Sequence, residues 1–139
     1  MKFLHPSTTP KVVAMSLARQ LIPRVLIADS FFARMRGWYG YQRSFNTRRG
    51  IDAVLLTATS SVHTIGMSFR LDLLWLDPEL RCIAVSRGVR PWRARWCRGA
   101  SHVLELPSNS HNRLLHKACQ PGRKLRLVEK PVFNPGKEA

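Results

Sequence analysis

The sequence has 139 residues, enough for one domain with a full core of its own. Apolar residues make up 45%, but 23 Lys and Arg against 8 Asp and Glu leave a net charge of +15. These figures exclude a multidomain enzyme, an acidic disordered chain, collagen and a bundle of membrane helices.

Residues 1–16 are basic, and His5, Pro6 and Pro10 interrupt the early apolar run, so the N-terminus gives an export signal only weak support. They are expected to form a flexible tail ahead of one domain at 17–130, with a second tail at 131–139. Residues 21–28 (LIPRVLIA) predict a strand, with Pro23 near its start, where a missing N–H is tolerated. Asp29-Ser30 then supplies an N-cap for a short helix at 31–36, closed by Gly37. Residues 40–51 read as a polar, basic loop. Short strands follow at 53–57 and 61–65, the second ending in a turn at Gly66. Residues 69–76 alternate, with Phe69, Leu71, Leu73 and Trp75 on one face and Arg70, Asp72, Leu74 and Leu76 on the other. Asp77-Pro78-Glu79-Leu80 has the signature of a type I turn, so residues 81–89 should return antiparallel. Residues 87–98 read as a loop around Pro91, and 102–106 as a strand. A second short helix is expected near 111–118, capped by Ser110. A last strand follows at 124–129, with Leu125 and Leu127 turned inward. The sum is an α+β domain: a compact, mostly antiparallel, β-barrel-like sheet with two short helices.

Seventeen of the basic residues are Arg, which grips phosphate and carboxylate bidentately. Nonspecific attraction to nucleic acid at low salt follows from the charge alone. Acids are so few that any one of them placed inside the core is notable. The three cysteines, Cys82, Cys97 and Cys119, form no CxxC pair, which favours free thiols and a reducing, cytoplasmic setting. No apolar run reaches the ~20 residues of a spanning helix.

Three constellations bear on chemistry. Arg87, Arg90, Arg93, Arg95 and Arg98 interleave with Trp92 and Trp96. That pattern suits base stacking with phosphate contacts, but the preferred reading packs one or both Trp onto the sheet beneath the Arg stems. His63 and Asp72 lie on successive predicted strands. If those strands form a hairpin with a loop at 66–69, the two side chains oppose each other about 4.5–5.5 Å apart. Cys97, His102 and Glu105 are metal-ligand types without a metal-ligand spacing, so no metal and no cofactor is implied. GxSxG, GxGxxG and P-loop patterns are missing, and no catalytic residue is assigned.

In order along the chain stand Ala28-Asp29-Ser30, Arg34-Met35-Arg36-Gly37, Val62-His63-Thr64-Ile65-Gly66-Met67 and Leu71-Asp72-Leu73-Leu74-Trp75-Leu76-Asp77. Arg90-Pro91-Trp92, Cys97-Arg98-Gly99-Ala100 and Val103-Leu104-Glu105-Leu106-Pro107 complete the series. The series resembles the prokaryotic family called domain of unknown function 192, over roughly residues 17–128. Two departures stand out. Trp38 replaces a small aliphatic residue after Gly37, and 46–50 (NTRRG) replaces a Pro/Gly–Glu–Gly approach to the third strand. The resemblance implies a barrel-like α+β domain and no known reaction. It also implies a family some of whose members are exported or look like neighbours of pilus or secretion systems.

The leading expectation is therefore a non-enzymatic accessory or binding domain for an anionic small molecule or an acidic protein. His63, Met67, Asp72, Arg90, Trp92, Cys97 and Glu105 are its candidate ligand-binding residues. The alternatives are a nucleic-acid binder working through the Arg/Trp segment, and an enzyme built on His63 and Asp72. Oligomeric state is not encoded in any feature of the sequence.

Overall fold

The computed structural model describes residues 11–30, 32–35, 38, 50–108 and 113–128. Within them a seven-stranded sheet runs in the order β6-β5-β8-β3-β2-β1-β9. Its strands are β1 (Lys11–Leu17), β2 (Gln20–Ala28), β3 (Ala53–Leu56), β5 (Leu71–Leu76), β6 (Cys82–Val89), β8 (His102–Pro107) and β9 (Leu125–Val128). β4 (Ser61–His63) and β7 (Ala94–Trp96) form a separate two-stranded ribbon. All pairings are antiparallel except β2 with β3. Residues 32–35 are helical, and a helix α1 spans Arg113–Ala118. No helix among the described residues is long and apolar enough to cross a membrane.

The sheet is mostly antiparallel, as expected, but it does not close into a barrel. Among the described residues its two edge strands meet at one end, through an isolated bridge between Arg81 and Lys124. Cys82 N–H donates to the Arg123 carbonyl there (2.7 Å), and Leu125 N–H to that of Leu80 (2.9 Å). Leu127, expected to point inward, is 60% exposed, because β9 is the sheet edge. Residues 11–16, expected in the tail, are part of β1. The predicted Gly37 cap, the Ser110 cap and nearly all of the 40–51 loop lie outside the described residues.

Both faces of the sheet are covered, and β5 shows why. All six of its residues are buried, so the expected contrast between an apolar and a mixed face disappears. Leu74 and Leu76 join one cluster with Leu104, Leu106, Val25 and, from α1 and its end, Leu115, Ala118 and Cys119. Leu71, Leu73 and Trp75 join the other with Val103, Val54, Leu26, Trp38, Val62 and Met67. One cluster thus sits under α1 and the other under residues 32–35, Trp38 and the ribbon. The Asp77 turn forms as expected: Oδ1 accepts the N–H groups of Glu79 (2.8 Å) and Arg81 (2.9 Å).

The cysteines are unequal. Cys82 and Cys119 are buried and Cys97 is partly exposed. Burial pushes the Cys82 thiol up, and that of Cys119 up to about 12. Since the thiolate is the reactive form, brief alkylation of the native protein should modify Cys97 alone. Mass spectrometry of the labelled peptides checks this; equal labelling of all three would contradict the packing.

Candidate functional site

The site begins with one charged residue in an apolar strand. Alternation along β8 puts Glu105 on the same face as Val103, and it is fully buried (0% exposed). A carboxylate there must be paired. Its partner arrives from the chain leaving β2. Ser30 Oγ accepts the Ala33 N–H (3.2 Å), capping the helical turn, and that turn carries Arg34 back over the sheet. Arg34 Nε donates to both Glu105 oxygens, at 2.6 and 2.8 Å, and the guanidinium is only 2% exposed. Trp38 Nε1 adds a third donor to Oε1 (3.2 Å). The Trp38 ring meets Phe69 edge-on at 5.4 Å. Burial raises the Glu105 carboxyl above its ordinary range, while Arg34, Trp38 and nearby His63 pull it down.

A pocket of about 260 Å³ opens beside Arg34. It is lined by Arg34, the strand residues Leu56, Val62 and His63, and the hydroxyl-bearing Ser30, Thr57, Thr59 and Ser61, with Asp29 alongside. The 57–60 loop is fastened from behind. Ala58 N–H donates to His102 Nδ1 (3.0 Å), and Thr59 N–H to the Ser101 carbonyl (2.9 Å). Thr59 Oγ1 donates to the Ser61 carbonyl (2.8 Å) and accepts the Ser61 N–H (3.3 Å), which leaves one lone pair as an acceptor. One polar atom is unspent: Arg34 Nη2 is buried and has no hydrogen-bond partner among the described residues.

The strand carrying Glu105 lies in the Val-Leu-Glu-Leu-Pro stretch, and a family model described as "DUF192: Uncharacterized ACR" matches residues 13–127. The chain belongs to that family. Two solved structures share the DUF192 fold seen here. A protein of unknown function from Novosphingobium aromaticivorans DSM 12444 superposes with a TM-score of 0.60 at 16% identity, covering 89% of this chain and 91% of its own. A Sinorhizobium meliloti 1021 protein described as a "putative transcription regulator" gives a TM-score of 0.63 at 16% identity, covering 86% of this chain and 96% of its own. At that identity the likeness is one of fold alone. No curated protein matches the sequence.

The seven sequence candidates do not form one cluster. His63 lines the pocket, and Glu105 lies buried behind it, paired with the lining residue Arg34 and close enough to His63 to feel its charge. Met67 is core. Cys97 is partly buried at the ribbon's end, where its N–H donates to the Ser60 carbonyl (2.9 Å). Arg90 and Trp92 lie on the outer surface, Trp92 at 65% exposure and Trp96 at 76%, so neither Trp packs under Arg stems as expected. The expected pairing of His63 with Asp72 is wrong. β4 pairs with β7, not β5, and His63 sits opposite Ala94. Asp72 is on the other face of the sheet, where it does find a histidine, but His116 of α1 (Nδ1–Oδ2 3.0 Å). The sequence reading missed Arg34 and Trp38 as site residues. The sequence marks Trp38 only as a departure from the pattern of the family it resembles; in this fold its indole N–H donates to Glu105.

Proposed function

We propose that this DUF192 domain binds a small hydroxylated carboxylate in the pocket above Arg34. The observation that carries the reading is Arg34, which lines an open pocket while its buried Nη2 has no partner among the described residues. A buried guanidinium donor left unsatisfied is costly, and a ligand oxygen satisfies it. The rim has the opposite polarity: Asp29 and the Thr59 hydroxyl present acceptors, which suit ligand hydroxyls. The volume lies just under the ~300–1,000 Å³ of ordinary ligand sites, so the compound is a small metabolite rather than a nucleotide. Binding, not catalysis, is the role this supports. A cytoplasmic setting goes with it, supported by three free cysteines in the fold.

The raised Glu105 carboxyl adds a signature. An arriving anion competes with Glu105 for Arg34, and proton uptake by Glu105 relieves that competition. Affinity for a carboxylate should therefore fall as pH rises. Thermal shift with gluconate, glycerate, glucose and inorganic phosphate tests the reading. The hydroxy acids should raise Tm in the native protein and fail to do so in Ser61→Trp, which fills the pocket mouth. A response to phosphate or glucose equal to that of the hydroxy acids overturns the ligand class. A response unchanged in Ser61→Trp overturns the site.

A further inference from the structure

The ribbon beside the pocket displays what the core would normally take in. From Glu79 to Glu105 the chain has no acid, and Arg90, Arg93, Arg95 and Arg98 are all exposed around β7. Trp92 and Trp96 are exposed among them, although Trp is largely buried in most folds. Their display is built. Trp92 has φ of 61°, a left-handed conformation that a bulky residue rarely adopts. Thr64, itself 1% exposed, holds it there. The Thr64 carbonyl accepts the Trp92 N–H (3.0 Å), and its Oγ1 donates to the Arg90 carbonyl (2.7 Å) and accepts the Arg93 N–H (2.9 Å). The Arg93 carbonyl in turn accepts the Thr64 N–H (2.8 Å). The neighbouring guanidinium groups are steered too. Arg93 Nη1 donates to the Trp92 carbonyl (3.2 Å) and Arg95 Nη1 to that of Ala94 (2.8 Å).

We propose that the β7 surface binds single-stranded nucleic acid, with Trp92 and Trp96 as stacking platforms and Arg90, Arg93, Arg95 and Arg98 as phosphate contacts. Charge complementarity selects a polyanion, and exposed indoles select one whose bases are free to stack. Bases in a duplex are already stacked, so a duplex offers the Trp residues little. A strand of three residues is also too short to read a groove. The assignment is independent of the ligand proposed for the pocket.

The test titrates the full chain with a short oligothymidylate, with a duplex of equal length and with anionic phosphatidylglycerol vesicles, following tryptophan emission. Oligothymidylate should quench emission and bind about tenfold or more tighter than the duplex. Four phosphate contacts predict a log–log salt slope near −3 on the single strand. Trp92→Ala and Trp96→Ala should each weaken oligothymidylate binding by roughly fivefold or more, with melting temperature held, while Trp96→Phe retains most of it. Arg93→Ala/Arg95→Ala should flatten the slope by about one unit or more. Equal affinity for duplex and single strand overturns the proposal. So does indifference to both Trp→Ala changes, or binding to vesicles with none to oligothymidylate.

Discussion

Arg34→Met should lower the folding stability by about 3–5 kcal/mol at neutral pH, read as a drop in urea midpoint. The change removes the guanidinium from a carboxylate that is fully buried and leaves it the weaker Trp38 N–H donor. Marginal stability makes that a large share of the ~5–15 kcal/mol typical of a domain. Removing both charges, as in Arg34→Met/Glu105→Leu, should recover most of the loss, since an apolar pair avoids the desolvation that the ion pair must offset. The single variant should also recover in acid. Burial already raises the Glu105 carboxyl, and losing Arg34 raises it further. A carboxyl raised by folding contributes stability that is full below its unfolded value and is lost as pH rises through its folded value. The deficit of Arg34→Met should thus shrink from neutral pH toward pH 4. A deficit constant across that range, or a double variant no better than the single one, would show that Glu105 is not held as a buried carboxylate by Arg34.

What the sequence made legible was local. Branched residues at 21–28 mark β2, Asp77-Pro78 marks the β5–β6 hairpin, and Ser30 caps the helical turn, because each signal acts over a few residues. β1 escaped notice for a local reason as well. A register shift between Val13 and Met15 breaks the two-residue period that would have revealed it. The ribbon failed for the opposite reason: β4 pairs with β7 about thirty residues on, and no period in either strand encodes a partner at that distance. The same limit applies to the pocket. An acid inside Val103–Leu106 announces that it needs a partner, but 17 arginines compete for the role and the one chosen lies 71 residues away. Trp92 and Trp96 misled because apolar area argues for burial, whereas four hydrogen bonds through Thr64 hold Trp92 at the surface.

The second large effect is expected at Asp72, on the opposite face of the sheet. Asp72 is 2% exposed and accepts two hydrogen bonds, from Gly88 N–H (2.8 Å) and His116 Nδ1 (3.0 Å). The first closes an irregularity in β6, where the register slips between Leu71 and Leu73 and Gly88 takes φ of 61°. The second ties α1 to the sheet. Arg87 reinforces the same junction from the neighbouring position, donating to the Cys119 carbonyl at the helix end (2.6 Å). Asp72→Ala should therefore cost about 2–3 kcal/mol, because it leaves the half-buried Gly88 amide without its acceptor and releases the helix as well. The helix share is separable. Asp72→Ala and His116→Ala should be coupled by roughly 1 kcal/mol or more in a double-mutant cycle, as contacting residues are. Asp72→Ala and His63→Ala should add within about 0.5 kcal/mol, since the sheet lies between them. Hydrogen exchange gives the spatial readout: Asp72→Ala should speed exchange in α1 and at Gly88 while leaving the 57–63 wall of the pocket protected. Coupling to His63 in place of His116 would return Asp72 to the pocket and undo the assignment of the two buried acids to opposite faces.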